Sequence, residues 1–263
     1  GDDCSTDRTQ EIVEDYRRRY PSIIKTIFQQ ERTGGALNYE NVHSLAAGEY
    51  VAHLDGDDIF APNKLRLQVQ KLDENTDINI LWHRVNIFND HGLSVCRPDG
   101  AGDFLDQKIS RKDLILYGPF GPHSSTMYRR CMLKLRDREF FGNDWFISVE
   151  LIGDGYGLMM SEVLGSYRIT SNGLSLGATA SKKNRKLLCR CQVEVMRLYP
   201  QYNSVMALRS LATSLLDVSK CKIYFVYSLM VFLKCRSFPA VSLLPRLIKF
   251  YKSSTLPQQF KNF

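Results

Sequence analysis

The sequence predicts an α/β protein, a mixed sheet flanked by helices, with a C-terminal helical extension. Three observations carry that expectation. Helix-period and strand-type segments alternate through the first 180 residues at the spacing of a layered α/β domain. Turn-former clusters with paired carboxylates punctuate this alternation, at positions where open α/β sheets carry ligand sites. From Ser181 onward strand patterns stop, amphipathic helices take over, and the charge changes sign. The expected division is therefore 1–180, an α/β domain, and 181–263, a basic helical region.

The elements follow in order. Gly1 to Thr9, GDDCSTDRT, is a turn-former cluster running into a helix pattern with Ile12, Val13 and Tyr16 on one face. Ser5, Thr6, Asp7 and Thr9 are competent N-caps, and Pro21 stops the helix. Ser22 to Phe28 reads as a strand, which makes this half of a βαβ unit whose first strand is missing or lies upstream. Asp2 and Asp3 would sit at the carboxyl end of that strand, where nucleotides bind. Ala36 to Ala47 reads as a helix with Leu37, Val42, Leu45 and Ala46 inward. Glu49 to Leu54 is expected to be the central strand; a helix from Pro62 through Leu72 follows, with Leu65, Leu67, Val69 and Leu72 apolar. Ile78 to Phe88 is a further strand, and Asn89 to Gly102 a loop or irregular hairpin. Ile109 to Tyr117 reads as a helix and Ser124 to Tyr128 as a short strand. A helix from Asp144 or Trp145 to Ile152, a loop at Gly153–Gly157 and a strand through Ser166–Ile169 complete the alternation.

Lys182 to Tyr199 and Val205 to Asp217 are amphipathic helices. Tyr224 to Leu233 is nearly all apolar but runs about ten residues, where a membrane span needs ~20. It reads as a buried helix, with an interfacial helix flanked by Lys220, Lys222, Lys234 and Arg236 as the alternative.

The net charge of +7 is unevenly placed. Fifteen Lys/Arg against two acids, Glu194 and Asp217, put +13 on the region from Ser181 and leave −6 on the first 180 residues. The basic region favours an anionic surface such as a membrane leaflet or a polyanion, here as a peripheral contact; no nucleic-acid partner is expected. Seven scattered cysteines without a CxxC pair read as free thiols of a reducing compartment. No secretory signal opens the chain, which begins mid-motif at Gly1, so a cytoplasmic location is expected.

The densest chemistry lies in GEYVAHLDGDD, Gly48 to Asp58. Asp55, Asp57 and Asp58 repel one another unless solvated or gathered on a cation, and Gly56 permits a sharp turn that could bring Asp55 and Asp57 to one point. Oxygen donors suit a hard divalent ion, Mg²⁺ or Mn²⁺. An acidic strand-to-loop turn is the plainer alternative. His53, His83 and His123 show no mutual spacing that marks a site, and each reads as structural.

Five separated blocks line up in order: GDDCSTDRT; TGGALNYENVHSLAAGEYVAHLDGDD; Pro62, Lys64, Leu65 and Gln68; NDW with its downstream EL; and YRITSNGLSL. In these the chain, from about Gly1 to Leu176, resembles family 2 glycosyltransferases of the GT-A fold, of the bacterial surface-polysaccharide type. The resemblance implies an inverting enzyme that takes a sugar from a nucleotide-diphosphate donor, UDP-linked by preference, to a glycan or lipid-linked acceptor. It assigns Asp3, with Asp2, to the base, and Gly35 and Asn38 to the nucleotide. It makes Asp57 the direct ligand of Mn²⁺ or Mg²⁺, with Asp55 towards the ribose or the metal's water shell. Asp144 becomes the general base, alternatively an N-cap; Trp145 could stack on a sugar, alternatively pack in the core. The chain departs from relatives that lend a late histidine to the metal, since no histidine follows His123. Arg168 could reach the diphosphate or pair with an acid. A sugar nucleotidyltransferase and a non-catalytic nucleotide-binding or scaffold module remain the other classes.

Overall fold

The computed structural model describes residues 1–92, 94–96, 102–134, 143–170, 182–217, 222–234 and 241–253. The chain divides into two compact units, Gly1–Gly48 with Lys134–Gly142, and Glu49–Leu133 with Asn143–Phe263.

The first unit holds α1 (Thr9–Arg19) and α2 (Gly35–Ser44). The Asp7 carboxylate accepts from the Thr9 amide at 3.0 Å and the Thr9 hydroxyl at 2.6 Å, fixing the entry to α1, which ends ahead of Pro21. The expected strand at Ser22–Phe28 is absent. Phe28 forms a single parallel bridge with Asp2, whose amide donates to the Ile27 carbonyl at 2.9 Å and whose carbonyl accepts from the Gln29 amide at 3.0 Å. A strand exists only where a neighbour continues the ladder, and here one residue does. Gly34 stands at the start of α2 with φ of +89°, a conformation that favours glycine. The buried residues of α2 are Tyr39 and His43, whose rings stack at 3.7 Å. Val42 and Leu45, expected inward, are exposed.

Among the described residues, the second unit is built on a seven-stranded sheet. Its strands are β1 (Tyr50–Ala52), β2 (Ile59–Phe60), β3 (Ile78–Phe88), β4 (Ser94–Cys96), β5 (Lys108–Ile109), β6 (Met127–Arg129) and β7 (Tyr156–Arg168). The order is β1-β6-β3-β7-β2, with β4 on β3 and β5 on β7. The parallel pair β3–β7 forms the centre, so the strand before the acidic turn lies at one end of this order and not in the middle. The near-continuous burial of β3 is what a strand covered on both faces requires. Gly157 lets β7 approach Trp82 of β3: a Cβ there would stand 2.6 Å from the indole.

Helix α3 (Lys64–Glu74) buries Lys64, Gln68 and Leu72, while Leu65, expected on the apolar face, is exposed. Helix α4 (Arg111–Tyr117) is closed at its start by a capping box between Ser110 and Asp113. Helix α5 (Asp144–Leu151) is capped by Asn143, whose side chain accepts from the Phe146 amide at 3.0 Å, so Asp144 is the first helical residue and not the cap.

The C-terminal helices α6 (Lys182–Leu198), α7 (Asn203–Asp217), α8 (Lys222–Lys234) and α9 (Leu244–Ser253) belong to this same unit. Arg209 of α7 donates to the Ile115 carbonyl at 3.0 Å, and the Tyr251 hydroxyl to the Leu116 carbonyl at 2.7 Å, both at the carboxyl end of α4. The first compact unit runs to Gly48, and these helices pack within the second. Among the described side chains of α8, Val231 is buried while Val226, Met230 and Leu233 are exposed. Among the described residues no helix is long and apolar enough to cross a membrane.

Candidate functional site

The acidic turn follows β1 directly. Its closing bond runs from the Asp58 amide to the Asp55 carbonyl at 3.2 Å. Gly56 is not in the left-handed region, and a Cβ there meets open space, so the turn does not require glycine. Asp55 is held from two sides: its carboxylate lies 2.9 Å from His53 Nε2 and 3.3 Å from the Ser124 hydroxyl, and its amide donates to that hydroxyl at 2.9 Å. Burial alone would raise the Asp55 carboxyl; His53, His123 and Ser124 outweigh it and hold the group below the usual range. Asp58 is shifted the other way, by burial first and then by the charges of Asp57 and Asp55, although the Arg168 amide donates to it at 2.8 Å. Asp57 is exposed, and its main-chain carbonyl accepts from Arg168 Nε at 3.2 Å.

Sequence spacing missed the histidines. The His53 and His123 rings stack with centroids 3.6 Å apart and planes 15° from parallel. His123 Nδ1 lies 3.7 Å from Asp144 Oδ1. Burial pulls the His123 imidazole below its ordinary value, with Asp144 and Asp55 acting in opposition. The structure thus brings Asp55 to one ring of a stacked pair and Asp144 to the other. His83 is apart from this group, buried, with Nδ1 2.8 Å from the Arg84 carbonyl.

Trp145 is a packing residue. It is 3% exposed, its indole N–H donates to the Leu114 carbonyl at 2.8 Å, and the Arg209 guanidinium lies 4.5 Å from the ring. A ring so covered offers no face to a sugar. Arg168 pairs with Asp90 at 2.6 Å and lies over the Phe88 ring, which uses the cation that could have met a diphosphate.

In the first unit, Asp2 is buried, and its Oδ1 accepts from the Ser5 amide at 2.9 Å and from Gln10 Nε2 at 2.7 Å. Asp3 accepts from the Thr33 amide at 2.7 Å, the Thr33 hydroxyl at 2.8 Å and the Gly34 amide at 2.9 Å. These bonds, led by the Thr33 amide, hold its carboxyl below the usual range. Asp3 therefore ties down the loop that opens α2, and three of its roughly four lone-pair sites are occupied. Gly35 is the first residue of α2. Asn38, one turn on, has its Nδ2 3.5 Å from the Gly1 carbonyl.

Two donor sets fit a cation differently. His53, Asp55 and His123 offer atoms within 4.8 Å of one another, a possible His/Asp metal site. Near-parallel rings, however, aim their lone pairs side by side, so both imidazoles meet one ion only after a ring turns. Asp57, exposed and with only its main-chain carbonyl engaged among the described residues, is an oxygen donor of the kind hard cations take.

The sequence profile described as glycosyl transferase family 2 matches residues 1–134. An uncharacterized protein of Mycobacterium tuberculosis is 32% identical over 181 residues, 66% of this chain and 50% of the relative. The chain spans about half the length of that relative. A Bacillus subtilis glycosyltransferase provisionally named for teichuronic acid biosynthesis, TuaG, is 26% identical over 211 residues, 75% of this chain and 76% of the relative. Among solved structures, Staphylococcus aureus TarS superposes with a TM-score of 0.62 at 17% identity, over 96% of this chain and 46% of that one. The mannosyltransferase PcManGT from Pyrobaculum calidifontis, in complex with GDP-Man and Mn²⁺, gives 0.57 at 16% identity, over 96% and 76%. At these identities the likeness is one of fold, and it agrees with the expected GT-A mixed sheet flanked by helices.

Proposed function

This chain belongs to glycosyl transferase family 2, and from that premise we propose that it moves a sugar from a nucleotide-diphosphate donor to a hydroxyl acceptor with inversion, in surface polysaccharide or glycolipid assembly. The observation that carries the reading is that Asp55 of the acidic turn and Asp144 each lie on one ring of a single stacked histidine pair in the second unit.

The residues divide the work as follows. Asp57, exposed at the turn, is the direct ligand of a divalent cation, and Asp55, held by His53 and Ser124, faces the ribose or the cation's water. A bound Mn²⁺ or Mg²⁺ neutralises charge that gathers on the departing diphosphate. The Mn²⁺ and GDP-Man of PcManGT support this choice of cation and donor class. Asp144, half exposed at the first position of α5, takes the acceptor's proton as its oxygen attacks the anomeric carbon. Asp3 shapes the loop that opens α2, and with it Gly35 and Asn38, for the nucleotide, while Asp2 ties Ser5 to Gln10 beside it. The remaining lone-pair site of Asp3 suits an imide N–H, which uracil offers, so UDP is the favoured nucleotide. The basic C-terminal region, with Val226, Met230 and Leu233 exposed on α8 and Lys234 beside them, makes a peripheral contact with the cytoplasmic face of a membrane.

The test is nucleotide release from UDP-sugars and GDP-mannose with and without Mn²⁺. Asp57→Ala should abolish the metal-dependent part, and retained turnover would reject the metal role. Asp144→Asn should bind donor normally and lose transfer by about 10²- to 10⁴-fold; wild-type transfer would reject the base.

A further inference from the structure

Two histidines that touch no reacting group lie against the two carboxylates of this chemistry. His53 follows β1, and its Nε2 is 2.9 Å from Asp55 Oδ1. His123 opens the tight turn before β6, and its Nδ1 is 3.7 Å from Asp144 Oδ1. The rings stack at 3.6 Å, so the four side chains run in a row, Asp55–His53–His123–Asp144, within the second unit.

The middle of the row is firm and its far end is not. The His53 amide donates to the Thr126 carbonyl at 3.2 Å, and the Thr126 amide to the His123 carbonyl at 2.9 Å, so both histidine backbones hang on one residue. The histidine side chains are 17% and 18% exposed, whereas that of Asp144 is 52% exposed. An exposed carboxylate at the start of a helix has rotamer freedom, and a base misplaced by about 1 Å can cost 10²-fold in rate. His123 is the side chain beside Asp144 that can restrict that freedom, and His53 fixes the plane of His123.

We propose that the stacked His53–His123 pair positions Asp144, setting the direction of its carboxylate relative to the acidic turn. The proposal rests on Asp144 being the base. His53 and His123 act through Asp144 and touch no reacting atom.

Two measurements test it. The first needs no substrate: long-range ¹H–¹⁵N spectra of the histidine rings in the full chain. Asp144→Asn should displace the His123 ring signals and, through the stack, those of His53. Unmoved His123 signals would overturn the proposal. The second is nucleotide release from UDP-glucose and GDP-mannose with Mn²⁺. His123→Phe keeps a ring to stack on His53 but has no nitrogen. Its kcat should fall about 30- to 100-fold, with the donor KM within about twofold. His123→Asn, which returns a side-chain N–H near the place of Nδ1, should recover to within about fivefold of wild type. Wild-type kcat in His123→Phe, or no recovery in His123→Asn when both melt like wild type, would sink the idea. Should His123→Phe not fold, His53→Phe carries the same kcat test. The double variant Asp144→Asn/His123→Phe should be no slower than Asp144→Asn alone, and an additive loss would count against positioning. An inactive Asp144→Asn beside a fully active His123→Phe refutes this inference alone. A fully active Asp144→Asn refutes the base reading, and the ring spectra then still decide whether the row is coupled.

Discussion

Lys64 offers a stability prediction with a sign opposite to the usual effect of core substitutions. It opens α3, its residue is 0% exposed, and its Nζ has no hydrogen-bond partner among the described residues. Burial pulls its ammonium from 10.5 down to about 7. The unfolded chain keeps the ordinary value, so at pH 7 folding must strip a proton from this group or bury the charge. With about 1.4 kcal/mol for each pH unit between the two values, that costs about 4 kcal/mol at pH 7. The Phe60 ring, 3.5 Å from Nζ, returns about 2 kcal/mol to the charged form. Lys64→Met keeps the straight stem and removes the ammonium. It should raise stability by about 2 kcal/mol at pH 7, or roughly 4–8 °C in Tm for a chain of this size. The pH dependence follows with its sign. Between pH 7 and 10.5 the unfolded state holds a proton that the native state lacks, so wild-type stability climbs with pH, by up to about 1.4 kcal/mol per unit. The variant should lack that climb. Urea melts followed by circular dichroism at pH 7, 8, 9 and 10 measure both quantities. A variant less stable than wild type at pH 7, or two parallel pH profiles, would refute the reasoning and mean that Lys64 is charged and satisfied.

The remaining predictions concern the same unit. Burial, helped by the Lys64 charge, holds the His83 imidazole down at about 4 against an ordinary 6.5. The unfolded state alone takes up a proton as the pH falls between these values, so wild type should lose about 3 kcal/mol from pH 6.5 to 4, a loss reduced in His83→Gln; equal acid sensitivity in denaturant midpoints would contradict this. Arg209→Met should lower stability by about 2–4 kcal/mol, because the Ile115 carbonyl at the end of α4 loses its buried charged donor and Trp145 loses its covering cation; a Tm within 1–2 °C of wild type would show the clamp to be idle.

The parts of the fold that sequence made legible are those whose evidence is local. Strand β3 was readable because an eleven-residue β-branched and aromatic run has no helical alternative. Helix α5 was readable from Asn143-Asp144 before an apolar run, although the cap proved to be the asparagine. Ser22–Phe28 has strand composition but one bridging partner, and composition cannot count partners. The buried face of α3 runs Lys64, Gln68, Leu72, a stripe spaced by four that the apolar residues Leu65 and Val69 conceal. The site divides in the same way. Asp55, Asp57 and Asp144 announce themselves by neighbours in sequence. His53 and His123 are seventy positions apart and become neighbours only because β1 pairs antiparallel with β6, Ala52 opposite Met127, and the His53 amide carries the ladder one bond further to Thr126. The tight turn at 123–125 then folds His123 back onto His53. Pairing Tyr50–Leu54 with Ser124–Tyr128 sets His53 opposite Thr126, so the strand pairing alone does not bring the rings together, and the turn that does so has no mark in the spacing of the two histidines. The same pairing places the Ser124 hydroxyl on Asp55. The Ser124 support of the acidic turn is therefore written in the strand register, and any change that slips β1 against β6 by one residue should remove Ser124 from Asp55 and His123 from His53 together.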